Sequence, residues 1–318
     1  MRELLLGRAS VLHTHWKPTS RIRGRSALKV AARAAGLLLI FQIARLRGIR
    51  VIWTAHNLET HDSSVAHPAL ERCYWSTLPK LLDAVISLTA SAVPLLHERY
   101  PGLRDVPTWI IPHGNYRNVY PQHATRDAAR ARFGIAPGAR VFTFVGQIRP
   151  YKNVIALIRA FRELEDEHAI LLIGGMVKLK EERAEFDALI AADSRIHVVP
   201  RFVPDDELQY FLAAADLIVL PFASVLNSGS AILALSFDRP VLVPALGALT
   251  DLAAQIGNGW VITYENELNA AVLNDGMRKA QLRRDERAPI DSLDWNHIAE
   301  KTCAVYEAAI AQTPNSSR

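Results

Sequence analysis

Val141-Phe142-Thr143-Phe144-Val145-Gly146-Gln147-Ile148-Arg149-Pro150-Tyr151-Lys152-Asn153 opens as an unbroken hydrophobic run, turns at a glycine and ends in a cationic loop. A run without alternation of apolar and polar residues is suited to a strand buried on both faces, as in a parallel sheet. Helical spacing resumes at Val154–Leu164, so the stretch reads strand, turn, helix. Gly146 permits a close turn, and Arg149 and Lys152 place two flexible cations beside a helix N-terminus. That pairing suits a diphosphate, through backbone dipoles and charge-assisted hydrogen bonds.

The same alternation extends in both directions. Downstream, strands are expected at Ile170–Ile173, Ile196–Val199, Leu217–Leu220 and Val241–Val243, with helices at Glu181–Ala192, Asp205–Ala214 and Ser230–Ser236 between them. Upstream, strands are expected at Val11–His15, Val51–Thr54, Ala84–Leu88 and Trp109–Ile111, with helices around Ser26–Leu46, Pro68–Leu82 and Ser91–Tyr100. Ile111–Gly138 carries Pro and Gly and one short helix, Thr125–Phe133, as a hinge region would. The expected fold class is α/β, with two Rossmann-like domains facing a cleft and ligands at the strand ends. Neither half contains G-x-G-x-x-G, which disfavours a dinucleotide oxidoreductase.

The composition agrees with about two folded domains: 318 residues, half of them hydrophobic, with only Cys73 and Cys303. Two cysteines make neither a disulfide framework nor a cysteine zinc site. The longest apolar run near the start, Ala34–Ile43, is shorter than a bilayer span and reads as a buried or interfacial helix. No cleavable leader is apparent. Residues 1–58 hold eleven basic groups and one acid, Glu3, while the other 260 residues carry a net charge of −5. Such asymmetry attracts an anionic partner, whether nucleic acid, a phosphorylated substrate or a membrane surface, or else it is a solvated basic face. Few aromatic residues accompany the charge, which argues against single-stranded nucleic acid. Basic flanks around the apolar helix at Ser26–Leu46 favour an anionic membrane.

Two further loops follow strands of the second half. Gly174-Gly175 would allow close backbone approach, or form a plain turn. Phe222-Ala223-Ser224-Val225-Leu226-Asn227-Ser228-Gly229-Ser230 places Asn227, Ser228 and Ser230, all good N-cap types, before a helix, with Gly229 leaving its backbone accessible. Free N–H groups at a helix start attract an anion.

Phe144–Asn153, Arg201–Leu208, Ala214–Phe222 and Arg239–Pro244 together resemble the C-terminal half of GT-B glycosyltransferases of family 4. The similarity includes the β-mannosyltransferase-type relatives that act on lipid-linked acceptors in exopolysaccharide assembly. It covers residues 110–310 well and 10–110 more loosely. The ending Trp295–Tyr306 resembles the family's closing helices, which cross back to the first domain. The implied domains are 1–122 for the acceptor, 123–294 for the nucleotide sugar and 295–318 for the returning helix. Three departures stand out. The family's Arg-Lys pair is Gln147 and Lys152 here, with Arg149 as a substitute cation. The positions of two glutamates in retaining members hold Val225 and Leu233. Finally, the usual first strand with its Gly-rich loop is absent, so the first domain looks shortened.

Without those glutamates an inverting mechanism is expected, in which a base takes the acceptor hydroxyl proton. Candidate bases come from the first half: Asp62 leads, with His56 and Glu59 as rivals, all within Thr54-Ala55-His56-Asn57-Leu58-Glu59-Thr60-His61-Asp62. His13 and His15 alternate to one face of their strand. His13 reads as a core histidine, whereas His15 and Trp16 are candidates for the acceptor. Donor binding is assigned to Gly146, Gln147, Arg149, Lys152, Arg201, Asn227, Ser228, Gly229 and Ser230. No DxD element occurs, and the implied chemistry requires no metal and no cofactor besides a nucleotide-sugar co-substrate, expected to be GDP-mannose. The expected activity is hexosyl transfer, mannose foremost, to a lipid-linked glycan, by a cytoplasmic enzyme peripheral to the inner membrane. A nucleotide-sugar 2-epimerase and a non-catalytic GT-B subunit are the alternatives.

Overall fold

The computed structural model describes residues 9–15, 26–56, 67–257, 259–282 and 286–311. In chain order its main elements begin with β1 (Val11–His15), α1 (Ala27–Leu46), β2 (Arg50–Ala55), α2 (Pro68–Thr77), β3 (Ala84–Ser87), α3 (Ala92–Arg99) and β4 (Thr108–Ile110). Next come α4 (Arg126–Arg132), β5 (Arg140–Val145), α5 (Val154–Arg162), β6 (Ala169–Gly174), α6 (Arg183–Ala191), β7 (Ile196–Val199) and α7 (Asp205–Ala214). The chain then forms β8 (Leu217–Val219), α8 (Gly229–Ser236), β9 (Val241–Pro244), α9 (Ala248–Ile256), β10 (Val261–Tyr264), α10 (Ala270–Gln281) and α11 (Trp295–Ala311). By their contacts the residues form two compact units, 1–113 with 295–318, and 114–294. The first boundary falls at Gly114, inside the proline- and glycine-bearing stretch, nine residues ahead of the position 123 expected from the sequence.

The first unit has a parallel sheet in the order β1-β2-β3-β4. Alternation along its strands sends side chains to two different cores. Val51, Trp53, Ala55 and Val85 pack with Phe41 and Ala44 of α1 and with Tyr74 and Trp75 of α2. Ile52, Ala84 and Ile86 pack with Ile298, Val305 and Ala309 of α11. The closing helix is therefore an integral layer of the first unit.

The second unit has six parallel strands ordered β10-β9-β8-β5-β6-β7. From β5 the chain winds outward to β7, then returns to place β8 on the other side of β5. That reversal makes a topological switch point at the carboxyl ends of β5 and β8, where open α/β sheets bind ligands. An ionic network holds the opposite end of these strands. Asp216, just before β8, accepts from Arg130 Nη2 at 2.8 Å and from the Val141 backbone N–H at 2.8 Å, and also pairs with Arg126. Arg130 is 1% exposed, and its remaining N–H groups reach the carbonyls of Ala139 and Ala214.

Helix α1 is longer than the apolar core at Ala34–Ile43 suggests. At 20 residues and a mean hydropathy of 1.6 it is long and apolar enough to cross a membrane by length and composition. Here it packs through Val30, Ala34, Phe41 and Ala44, and Arg45 donates to the Lys80 carbonyl at 3.0 Å. Its outer face carries Leu28, Leu39 and Leu46, which are 80%, 59% and 77% exposed.

Candidate active site

At the switch point of the second unit, the loop after β5 is shaped by its contact with the loop after β6. Gly146 N–H donates to the Gly174 carbonyl at 2.8 Å, and Ile148 and Met176 continue the pairing. Gly175 has φ +152°, and a Cβ there would sit 1.8 Å from the Gly146 carbonyl oxygen. The glycine pair thus serves a backbone-on-backbone crossing, which accounts for it without a ligand.

Beyond that crossing the cations emerge. Arg149 Nε donates to Gln147 Oε1 at 2.9 Å, so the residue in place of the family's arginine holds the substitute cation. Lys152 lies in a short 3₁₀ turn, Pro150–Lys152, with its ammonium 4.0 Å from the Phe222 ring centroid and 5.4 Å from that of Tyr151. The Ala223 N–H donates to the Tyr151 carbonyl at 2.9 Å and ties this loop to the one after β8. Burial, reinforced by the Arg149 charge, lowers the Lys152 pKa to about 8. Among the described residues no carboxylate pairs with it. Such an ammonium is poised for an anionic ligand.

The loop after β8 ends at the start of α8, where Ser228 is the N-cap and its Oγ accepts from the Ala231 N–H at 3.2 Å. Asn227, Gly229 and Ser230 lie half-buried around it. The Tyr116 hydroxyl would come within 3.1 Å of a Cβ at Gly229, so a side chain there would crowd it. Arg201 is drawn elsewhere: its guanidinium pairs with Glu207 at 2.6 Å and donates to the Phe202 carbonyl. It is therefore an engaged ion-pair residue, in contrast to Lys152. A hollow of about 650 Å³ opens beside the clamp, lined by Asn153, Phe222, Ala223, Leu246, Tyr264 and Glu267 among others. Its size suits a nucleotide-sized ligand. Val225 and Leu233, where retaining members carry glutamates, pack against the apolar core.

The first unit gathers histidines at the carboxyl ends of β1, β2 and β4. His15 Nδ1 is 3.2 Å from His56 Nε2. His13, on the same strand face, lies between Tyr306 Oη at 2.6 Å and Thr54 Oγ1 at 2.7 Å. Burial, with the nearby His15, lowers the pKa of both His13 and His56 to about 4. Both are neutral imidazoles at physiological pH. His113 follows β4 and contributes to the same effect on His56. Among the described residues no group of three His, Cys, Asp or Glu is arranged to hold a metal ion. The structure thus unites His15 with His56 and gives His13 a bridging place, while Trp16, Glu59 and Asp62 lie outside the described residues. Phe222, Tyr306 and His113 carry no sequence signal for this role. Phe222 and Tyr306 act through contacts across 70 and 293 positions.

A parallel α/β unit with a cationic, amide-rich switch point, joined in one chain to a second parallel unit, defines a GT-B glycosyltransferase. The comparisons agree: residues 125–290 match the family described as Glycosyl transferases group 1. The chain is 32% identical over 98% of its length, and 83% of the relative's, to a GDP-mannose:glycolipid 4-beta-D-mannosyltransferase of Xanthomonas campestris pv. campestris. It is 27% identical over 72% of its length, and 53% of the relative's, to a D-inositol 3-phosphate glycosyltransferase of Nocardia farcinica. Among solved structures, it is similar to starch synthase IV from Arabidopsis thaliana (TM-score 0.70, 13% identity, 98% of this chain and 75% of that one). It is also similar to WaaG, a glycosyltransferase of lipopolysaccharide biosynthesis (TM-score 0.58, 19% identity, 91% and 81%). The chain belongs to the glycosyl transferases group 1 family. It is a hexosyltransferase.

Proposed function

We propose that this enzyme transfers mannose from GDP-mannose to a lipid-linked glycan, with inversion at the anomeric carbon, in the assembly of an exopolysaccharide. The donor and acceptor follow those named for the Xanthomonas relative. The observation that carries the reading is the Lys152 ammonium, half-buried over Phe222 without a carboxylate partner among the described residues and next to Arg149. In this reading Lys152, Arg149 and the amide-rich start of α8 stabilise the diphosphate as it departs. Gly146 and Gln147 shape that loop, and Asn227, Ser228, Gly229 and Ser230 present the helix start. The base comes from the stretch holding His56, Glu59 and Asp62, while His15 and Trp16 contact the acceptor. Displacement by an oxygen nucleophile needs no metal and no cofactor beyond the donor.

The same proposal places the enzyme in the cytoplasm, on the anionic inner face of the membrane. Exposed Leu28, Leu39 and Leu46 on α1 support this, since the helix also carries Lys29, Arg33 and Arg45 and no acid. Charge of that sign on an apolar face matches an anionic lipid surface. The test of the transfer reaction is incubation of GDP-mannose with a lipid-linked glycan, with the product's anomeric configuration read by NMR. A β-linked mannoside is expected. An α-linked product would overturn the inverting mechanism, and a failure to transfer from any nucleotide sugar would overturn the reading itself.

A further inference from the structure

On the sheet face beneath α11 the side chains change from apolar to polar toward the strand ends. Ile52, Ala84 and Ile86 meet the helix, then Thr54 and His13 take over, with His15 opposite Thr54 in the parallel register. His13 is held at both ring nitrogens, by Tyr306 at 2.6 Å and by Thr54 at 2.7 Å. A neutral imidazole has one donor and one acceptor nitrogen, and two hydroxyl partners, each able to donate or accept, satisfy both and restrain the ring's rotation. The restrained ring lies 4.2 Å, centroid to centroid, from that of His15 at an interplanar angle of 35°. His15 in turn approaches His56 at 3.2 Å, nitrogen to nitrogen. One of those nitrogens must donate and the other accept, so the contact is built around a single proton.

We propose that the His15–His56 pair takes the proton of the acceptor hydroxyl, and that Tyr306 and Thr54 are positioning residues acting on that pair through His13. The inference rests on the transferase reading above; it selects His56 among the candidate bases and adds His15, there given to the acceptor, as its partner. In the step, the acceptor O–H bond breaks as its oxygen bonds to the donor's anomeric carbon. The bond from that carbon to the diphosphate oxygen breaks, and its electron pair leaves on the nucleoside diphosphate. The proton passes to an imidazole of the pair and from there to water.

The surroundings of the pair oppose the build-up of positive charge on neighbouring rings. His13 faces the pair from β1 and His113 from the end of β4, while Tyr306 of α11 reaches His13 and has Cys303 as its own neighbour. Burial keeps His13 and His56 neutral, and charge on His15 would oppose charge on either of them. Burial also raises the Tyr306 pKa, which keeps its phenol protonated and neutral beside His13. Glu59, His61 and Asp62 follow His56 in sequence and lie outside the described residues. Glu59 and Asp62 are the competing bases.

Steady-state kinetics over a range of pH, with GDP-mannose and a short-chain lipid-linked acceptor, separate these assignments. Loss of a positioned general base costs about 10²–10⁴ in rate, so His15→Gln and His56→Gln are each expected to lower kcat by about 10² or more. Tyr306→Phe, which removes one oxygen, should lower kcat by about tenfold with the donor KM unchanged and move the acid-side midpoint of the kcat profile. Thr54→Val should act in the same direction. Wild-type kcat and midpoint in Tyr306→Phe would overturn the positioning role. Near-normal kcat in both glutamine variants, with loss in Asp62→Asn, would overturn the histidine base while leaving the transferase reading intact. NMR of ¹⁵N-histidine-labelled protein gives a readout independent of turnover. The ring-nitrogen resonances of His13, and with them those of His15 and His56, are expected to shift in Tyr306→Phe; resonances of His15 and His56 unchanged in that variant would overturn the positioning role.

Discussion

Lys152 shows how one residue's surroundings set a working pH. Partial burial beside Phe222 and the neighbouring Arg149 charge bring its pKa from 10.5 down to about 8. Below that value the ammonium can grip a diphosphate; above it the amine is neutral and the grip weakens. Donor affinity measured by titration calorimetry should therefore fall as pH rises through about 8, and binding at pH 8.5 should take up protons from the buffer. For stability the sign runs the other way. Between about 8 and 10.5 the unfolded lysine holds a proton that the folded one has released, so this group's contribution to stability increases with pH across that window. Lys152→Ala should cut turnover by about 10² while the protein stays folded, consistent with loss of a charge-stabilising contact. Turnover and melting temperature measured together check it, and unchanged turnover would remove Lys152 from the site. The lysine was legible in the sequence because it follows a buried strand and a glycine. The occupied state of Arg201 was not, because its partner Glu207 belongs to a helix whose distance from the strand end no local pattern encodes.

Elements of the second unit were readable where burial makes a strand apolar throughout: β5 and β7 lie within a residue of their expected limits. Helix α10 was not among the expected elements, and within it Asn274-Asp275-Gly276 has a local preference for a turn. In the structure Gly276 lies inside the helix at a close approach, where a Cβ would lie 3.0 Å from the Leu242 side chain and 3.3 Å from that of Leu217. Close packing on β8 and β9 overrides the local preference. The crossing of the loops after β5 and β6 has the same character. Gly175→Ala meets both a positive φ and the Gly146 carbonyl, so it should destabilise the second unit by more than about 2 kcal/mol, read in chemical denaturation. Asp216→Ala tests the other end of these strands. It leaves the buried Arg130 without its carboxylate, and breaking a buried pair from one side costs about 3–5 kcal/mol. A loss below about 1 kcal/mol, within the range of surface pairs, would show that the carbonyls around Arg130 suffice.

At the scale of the whole molecule, charge and hydrophobicity converge on one stretch of sequence. Residues 1–58 carry eleven of the 37 basic groups and one acid, and α1 within them keeps Phe41 and Ala44 in the core while Leu28, Leu39 and Leu46 face outward. Leu28, Ala32, Ala35, Leu39 and Leu46 recur at helical spacing and are all exposed, an outer apolar stripe interrupted by Gln42. Spanning a bilayer would strip Phe41 and Ala44 from the first unit's core, so the arrangement favours a helix lying on a surface. Pairing with a second copy would set Lys29, Arg33 and Arg47 against their like, which opposes self-association through this face. The expected result is binding to vesicles containing anionic phosphatidylglycerol, weak binding to phosphatidylcholine alone, and release as salt shortens the Debye length. Leu28→Gln, Leu39→Gln and Leu46→Gln combined should abolish vesicle binding in a sedimentation assay while GDP-mannose affinity stays at the wild-type value. Vesicle binding retained by the triple variant, or a wild-type dimer in analytical ultracentrifugation that the variant dissociates, would assign the stripe away from the membrane.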